Sequence, residues 1–349
     1  VEPYKIGRLA KVFYTLESKG SDQFLSFQVN HLRLGLGKNS QTSGLAPVVI
    51  FEWPRLGSTP LTFNVGGSYS FRGYQLYAAR FGVFNKTAPY DFMGAGFLGA
   101  PFDSDQRRQE PLERFIYADL GYRVAPQEEF FGLGPDSNLE DRRTYHYETG
   151  TISLVAGYQP FRWFALQGRA GYLPTHVGGG EAELLPEPDN GFDDATLPGL
   201  DHQPEFRYLD TAAYFGWEYD PNLPSAKLGV RWARFDDIGG SHYQFNRFSF
   251  DARGFLPLGS RQRKIAVRLY THRDYDDEGS EVPFYLMKTL GGNVTLRGFT
   301  DFRFRDKNLL YLSTEYRWEP TAVIDLAVFY DTGKVFPDRS GFNFEHMRH

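Results

Sequence analysis

The chain has 349 residues, 41% of them hydrophobic and 17% aromatic, with 37 Gly, 21 Pro and no Cys. That much apolar material excludes a disordered chain. The missing thiols exclude disulfide scaffolds, Cys-ligated zinc, iron–sulfur clusters and thiol nucleophiles. A formal net charge of −5 gives no footprint for a nucleic-acid partner. No apolar run approaches the roughly 18–20 residues of a membrane helix, but that test is blind to β-barrels, whose strands carry one greasy and one polar face.

Residues 1–22 come first. Ile6, Leu9, Val12, Phe13 and Leu16 recur at spacings of three and four after Pro3, and the run stops at Lys19-Gly20. This predicts a short amphipathic helix, with a plain linker as the alternative. Such a helix has three possible seats: on a membrane surface, over the mouth of the following domain, or inside it.

From residue 23 to 349 the dominant signal is two-residue alternation. Leu310, Leu312, Thr314, Tyr316 and Trp318 oppose Tyr311, Ser313, Glu315 and Arg317; Ile324, Leu326, Val328 and Tyr330 oppose Asp325, Ala327, Phe329 and Asp331. Strands are predicted near 31–38, 44–54, 61–71, 74–84, 113–125, 145–159, 162–173, 206–219, 226–235, 243–257, 264–276, 307–318 and 323–335. Most have about ten residues or more, the length a membrane-crossing strand needs and more than is usual in a soluble sandwich. Aromatics gather near their ends, among them Trp53, Tyr122, Tyr158, Trp163, Tyr172, Trp217, Tyr219, Trp232 and Trp318, as in the girdles of a membrane barrel. Short links alternate with long ones near 85–112, 174–205 and 277–306. The predicted fold is all-β, a transmembrane antiparallel up-and-down β-barrel, with each strand pairing to the next.

The sharpest segment is 283–336. It holds Leu290-Gly291-Gly292, then Leu296-Arg297-Gly298-Phe299, then the Arg-rich return Phe302-Arg303-Phe304-Arg305-Asp306, and finally Phe329-Tyr330-Asp331-Thr332-Gly333. Arg297 sits at a loop tip, whereas Arg305 reads as the loop's return limb. Glu315 and Asp331 fall on the polar, lumen-facing sides of the next two strands. A guanidinium folded into a lumen needs carboxylate partners, because an unpaired buried charge is costly, and bidentate pairing suits Arg.

With these residues the chain resembles the BamA/TamA superfamily of outer-membrane barrels, the bacterial surface antigen barrel family, in its short branch without POTRA repeats. Arg72-Gly73-Tyr74 and Glu129-Phe130-Phe131-Gly132-Leu133-Gly134 add to the likeness. The resemblance implies that Leu296, Arg297, Gly298 and Phe299 form an inward-folded loop motif, that Glu315 and Asp331 are the arginine's partners, and that Phe329 and Gly333 belong to the strand motif. It implies protein insertion or translocation at the bacterial outer membrane; the alternative is a passive channel or structural barrel on the same scaffold. The implied partners are outer-membrane lipid and lipopolysaccharide, and client outer-membrane proteins. The family has about sixteen strands against about thirteen found in the sequence. This predicts that the barrel is C-terminally incomplete, with about three more strands after His349 or a partner that closes the gap.

Nothing else in the sequence carries chemistry. The eight His are scattered, with no metal-ligand spacing. Asp236-Asp237 and the run from Asp274 to Glu278 read as solvated turns. Glu128 and Glu129 are strand neighbours pointing to opposite faces, poor partners for acid–base work. No enzyme activity, cofactor or metal is expected.

Overall fold

A computed structural model describes residues 23–38, 43–84, 114–161, 163–179, 197–217, 224–240, 243–259, 262–292, 294–321 and 324–349. The helix expected over 1–22 lies outside them. The strands are β1 (Gln23–Val29), β2 (Leu32–Lys38), β3 (Leu45–Trp53), β4 (Thr62–Tyr69), β5 (Gln75–Val83), β6 (Arg114–Phe130), β7 (Arg143–Phe161), β8 (Phe164–Leu173) and β9 (Thr175–Gly179). Then come β10 (Phe206–Trp217), β11 (Ser225–Asp237), β12 (Phe245–Pro257), β13 (Arg263–Asp276), β14 (Lys288–Leu290), β15 (Phe304–Asp306), β16 (Asn308–Thr321) and β17 (Ile324–Phe336).

Fourteen of these form one antiparallel meander, β1 to β8, β10 to β13, then β16 and β17, each paired with its neighbour in chain order. This is the predicted barrel wall, with one strand more than the sequence suggested. The addition is β1, which folds back on β2 through the two-residue turn Asn30–His31, where Asn30 takes a left-handed conformation (φ 51°). Among the described residues the path starts at β1 and ends at β17, which do not pair with each other.

Strand direction alternates, so the links alternate between two rims. The Asn30–His31 turn, the β7–β8 link and the β12–β13 link share one rim, called here the turn rim. The segments 131–142, 174–205 and 277–307 share the other, the loop rim. The long link predicted near 85–112 lies outside the described residues.

The outward face is apolar and exposed: Leu34 and Val49 on neighbouring β2 and β3, Ile152 and Leu154 on β7. Toward the turn rim the inward face is polar and buried, with Arg80 on Asp119 and Arg231 on Asp210. This inversion suits a wall whose outside meets lipid and whose strands pair with their neighbours. At the turn rim Trp163 stacks on Phe161 at 5.2 Å and Trp53 on His31 at 5.2 Å, two pieces of the expected aromatic girdle.

β8 and β9 continue one line along β7, interrupted at Pro174, which has no N–H for the ladder. Its carbonyl still accepts from Gly150 N (3.0 Å) and Thr149 Oγ1 (3.1 Å). In the loop-rim half of the lumen apolar clusters stand among the polar groups expected from alternation. Loop residues Val282, Phe284, Tyr285, Met287, Leu290 and Leu296 pack against wall residues such as Tyr145, Phe206, Phe245, Tyr270 and Leu309. Leu133 and Leu286 touch two of these clusters and join them.

Candidate functional site in the lumen

Loop 277–306 is ordered by its own backbone before it meets the wall. A single 3-10 turn at Phe284–Leu286 leads into the β14–β15 ladder, which pairs Lys288 with Asp306, Thr289 with Arg305 and Leu290 with Phe304. Beyond the ladder Gly291 adopts φ 121°, and a Cβ there would lie 2.0 Å from the Thr300 carbonyl, so only glycine fits. Thr295 Oγ1 accepts from Gly291 N at 2.9 Å, and Gly292 N donates to Phe299 O at 2.9 Å. The tip is thus a closed turn that presents Arg297.

Arg297 meets the wall at the last two strands. Its Nε donates to Asp331 Oδ2 (2.7 Å), Nη2 to Asp331 Oδ1 (2.9 Å) and Nη1 to Glu315 Oε2 (2.7 Å). The backbone N–H of Arg297 adds a bond to Asp331 Oδ2 at 3.2 Å. The Phe329 ring lies beneath the guanidinium, 3.5 Å from centroid to Cζ. Register explains the convergence: Ser313 pairs with Asp331 and Glu315 with Phe329, so all four share the inner face of β16 and β17. Leu296 is buried in the apolar layer, and Phe299 packs edge-on to Phe304 at 5.1 Å. Gly333 leaves room for the loop, since a Cβ there would stand 3.1 Å from Leu290 Cδ1 and 3.1 Å from the Leu310 carbonyl. Nothing within 4 Å would obstruct a Cβ at Gly298, and nothing in the structure explains a glycine there.

Several wall residues that hold the loop were not singled out from the sequence. Tyr311 donates to Thr295 O (2.9 Å) and to Asp331 Oδ1 (3.1 Å), and Ser313 to Asp331 Oδ1 (2.7 Å). Arg268 donates to Val294 O at 3.0 Å while bound to Asp251. Arg247 donates to Leu286 O (2.7 Å) and grips Asp274 with two bonds of 2.8 Å; Asp274 also faces His272, which pairs with Ser249. Alternation puts all of these on the polar face, but the face alone does not tell which of them reach the loop.

Arg305 lies on β15, the loop's return limb, and is deeply buried there. It is 2% exposed, and its Nη1 donates to Tyr145 Oη (3.0 Å) and to the Phe284 carbonyl (3.1 Å). Its own carbonyl accepts from Gly134 N at 2.8 Å, and nearby Arg303 Nη1 donates to Ser137 Oγ at 2.7 Å. Burial pushes the neighbouring Asp306 carboxyl up to about 6, against the lowering pull of Lys307. Among the described residues no group of His, Asp and Glu is placed to hold a metal ion.

Residues 121–347 match the Omp85 superfamily domain. Among solved structures the chain is similar to BamA from Haemophilus ducreyi lacking POTRA domains 1–3, at 16% identity and a TM-score of 0.57, over 89% of this chain and 58% of that one. It is similar to CdiB from Escherichia coli at 15% identity and a TM-score of 0.57, over 90% of this chain and 54% of that one. The chain thus spans a little over half the length of these two solved chains, and the likeness is one of fold. No curated relative matches the sequence. With a barrel meander and a family match over most of its length, this chain belongs to the Omp85 superfamily and is an outer-membrane β-barrel.

Proposed function

We propose that this barrel inserts or translocates polypeptides at the bacterial outer membrane. The observation that carries the reading is the Arg297 clamp. It fastens the lumenal loop to β16 and β17, the two strands that end the described sheet. A strand edge offers unpaired N–H and C=O groups that an incoming strand can use as a template. The clamp holds the lumenal loop and the wall in one piece while a client pairs with such an edge, and no bond chemistry is required. The clients are outer-membrane proteins, and the surrounding partners are outer-membrane lipid and lipopolysaccharide. Proteoliposomes bearing the purified chain should fold a urea-denatured outer-membrane barrel faster than empty liposomes of the same lipid. Heat-modified gel mobility follows the folded fraction, and equal rates would overturn the reading.

The passive-channel alternative has a specific observation against it. Loop 277–306 leaves β13 and reaches the β6–β7 rim, and its apolar residues pack against the inner wall along the way. A steady current through the wild-type chain in planar bilayers would restore it.

A further inference from the structure

We infer that Arg305 keeps the loop-rim mouth of the lumen sealed, by fixing the far end of loop 277–306 to the β6–β7 wall. The loop leaves the wall at β13 and rejoins it at the adjacent β16, yet its bonds reach Gly134, Ser137 and Tyr145. Four strands, β8 and β10 to β12, separate β7 from β13 along the sheet. The loop is therefore a strap across the lumen with two clamps. Arg297 is the near one, on β16 and β17; Arg305 is the far one, and β14 and β15 run between them.

The two clamps differ in chemistry. Arg297 sits between two carboxylates, with its side chain 24% exposed. Arg305 has no carboxylate within 4 Å among the described residues, and its Nε has no hydrogen-bond partner there. It is held by a hydroxyl, a carbonyl and the rings of Phe130, Tyr145 and Phe284, 5.7 to 5.9 Å from its Cζ. A guanidinium buried this way is costly compared with an apolar residue of its size, so stability alone does not account for it. Its side chain joins the loop, through Phe284 O, to the wall, through Tyr145. Phe284 packs in one apolar cluster with Phe130 and Tyr145 of that wall. Losing the Arg305 side chain unhooks Phe284 from Tyr145 and leaves this end of the strap on the backbone bridge to Gly134 and the Arg303–Ser137 bonds alone, while the near clamp stays shut. This inference concerns the seal of the lumen and does not depend on the proposed client activity.

The test is the current through planar bilayers carrying the purified full chain. Arg305→Met keeps bulk and removes the side-chain bonds to Tyr145 and Phe284 O, leaving the backbone bridge to Gly134. It should raise the open probability roughly tenfold or more over wild type, while the protein still shows heat-modified mobility. A quiet Arg305→Met would overturn the inference. A second variant makes the effect reversible: Arg305→Met combined with Ser137→Cys and Arg303→Cys, in a chain with no thiols of its own. Oxidised, this variant should be quiet, and reduced, it should open; a general loss of structure would not reverse in this way. Identical currents in the two states would defeat the assignment. If Arg305→Met alone does not fold, the oxidised variant carries the test. Failure of both to fold would assign Arg305 to barrel assembly and likewise overturn the inference.

Discussion

The Arg297 guanidinium lies over the Phe329 ring, its Cζ 3.5 Å from the ring centre, with Asp331 and Glu315 gripping its edges. The ring is part of the clamp, holding the cation in the plane where both carboxylates reach it. Phe329→Leu should lower the apparent melting temperature of the folded band by the equivalent of about 0.5–2 kcal/mol, and Phe329→Tyr should keep most of the stability. Equal losses in the two variants would show that the ring acts only by filling space.

Removing the charge should cost more than removing the ring. Arg297→Ala strands Asp331 and Glu315 on the inner wall, and breaking a buried ion pair typically costs about 3–5 kcal/mol. With the side chain partly open to solvent, the lower end of that range is expected. Asp331→Asn in the same background should add little, because the pair is already broken. Additive melting losses in the double variant would mean that the two residues do not act as a unit.

Gly333 faces Leu290 of the strap, and a methyl group there must push Leu290 or the Leu310 carbonyl aside. Gly333→Ala should destabilise by about 1–3 kcal/mol, the usual range for overpacking. Gly298→Ala, with open space around it, should not by crowding. Protease nicking within loop 277–306 would report the difference, and equal cleavage of both variants would contradict it.

Asp306 sets a pH dependence. Its carboxyl is buried and titrates near 6 in the folded protein, against 3.8 when unperturbed. The folded state therefore prefers the proton. The contribution of this group to stability is fully present below about pH 4 and falls away as pH rises through about 6, by of order 3 kcal/mol. Asp306→Asn should flatten the change in melting temperature between pH 5 and 7 and stabilise the protein at the upper end. An unchanged slope in the variant would rule the residue out.

Arg305→Ala should destabilise at least as much as Arg297→Ala, because Arg305 is the more deeply buried and its loss leaves both a cavity and an unpartnered Tyr145 hydroxyl. Parallel melting of the two variants would decide the order.

Most of the wall was legible in the sequence because a strand between lipid and lumen must alternate, and that period survives in the residues. β1 was not read, although Leu25, Phe27 and Val29 alternate with Ser26 and Gln28. The Asn30–His31 turn that ends it contains neither Gly nor Pro to mark a break. β9 was hidden behind Pro174, which usually ends a strand but here only interrupts one. The near clamp was visible as an Arg followed by two acids on polar faces. The far clamp was not: Arg305 and Tyr145 lie 160 residues apart, and no local pattern joins them. Nor does alternation tell a polar lumen from one filled with a loop's own Phe, Leu and Met.

The strands differ greatly in length. β4 has 8 residues, whereas β6 has 17 and β7 has 19. At about 3.3 Å per residue and a tilt near 45°, seventeen residues rise about 40 Å, well beyond an apolar band about 25 Å tall. β6 and β7 therefore carry their ladder past the lipid, and this side of the wall projects from the membrane as a ledge of paired strands.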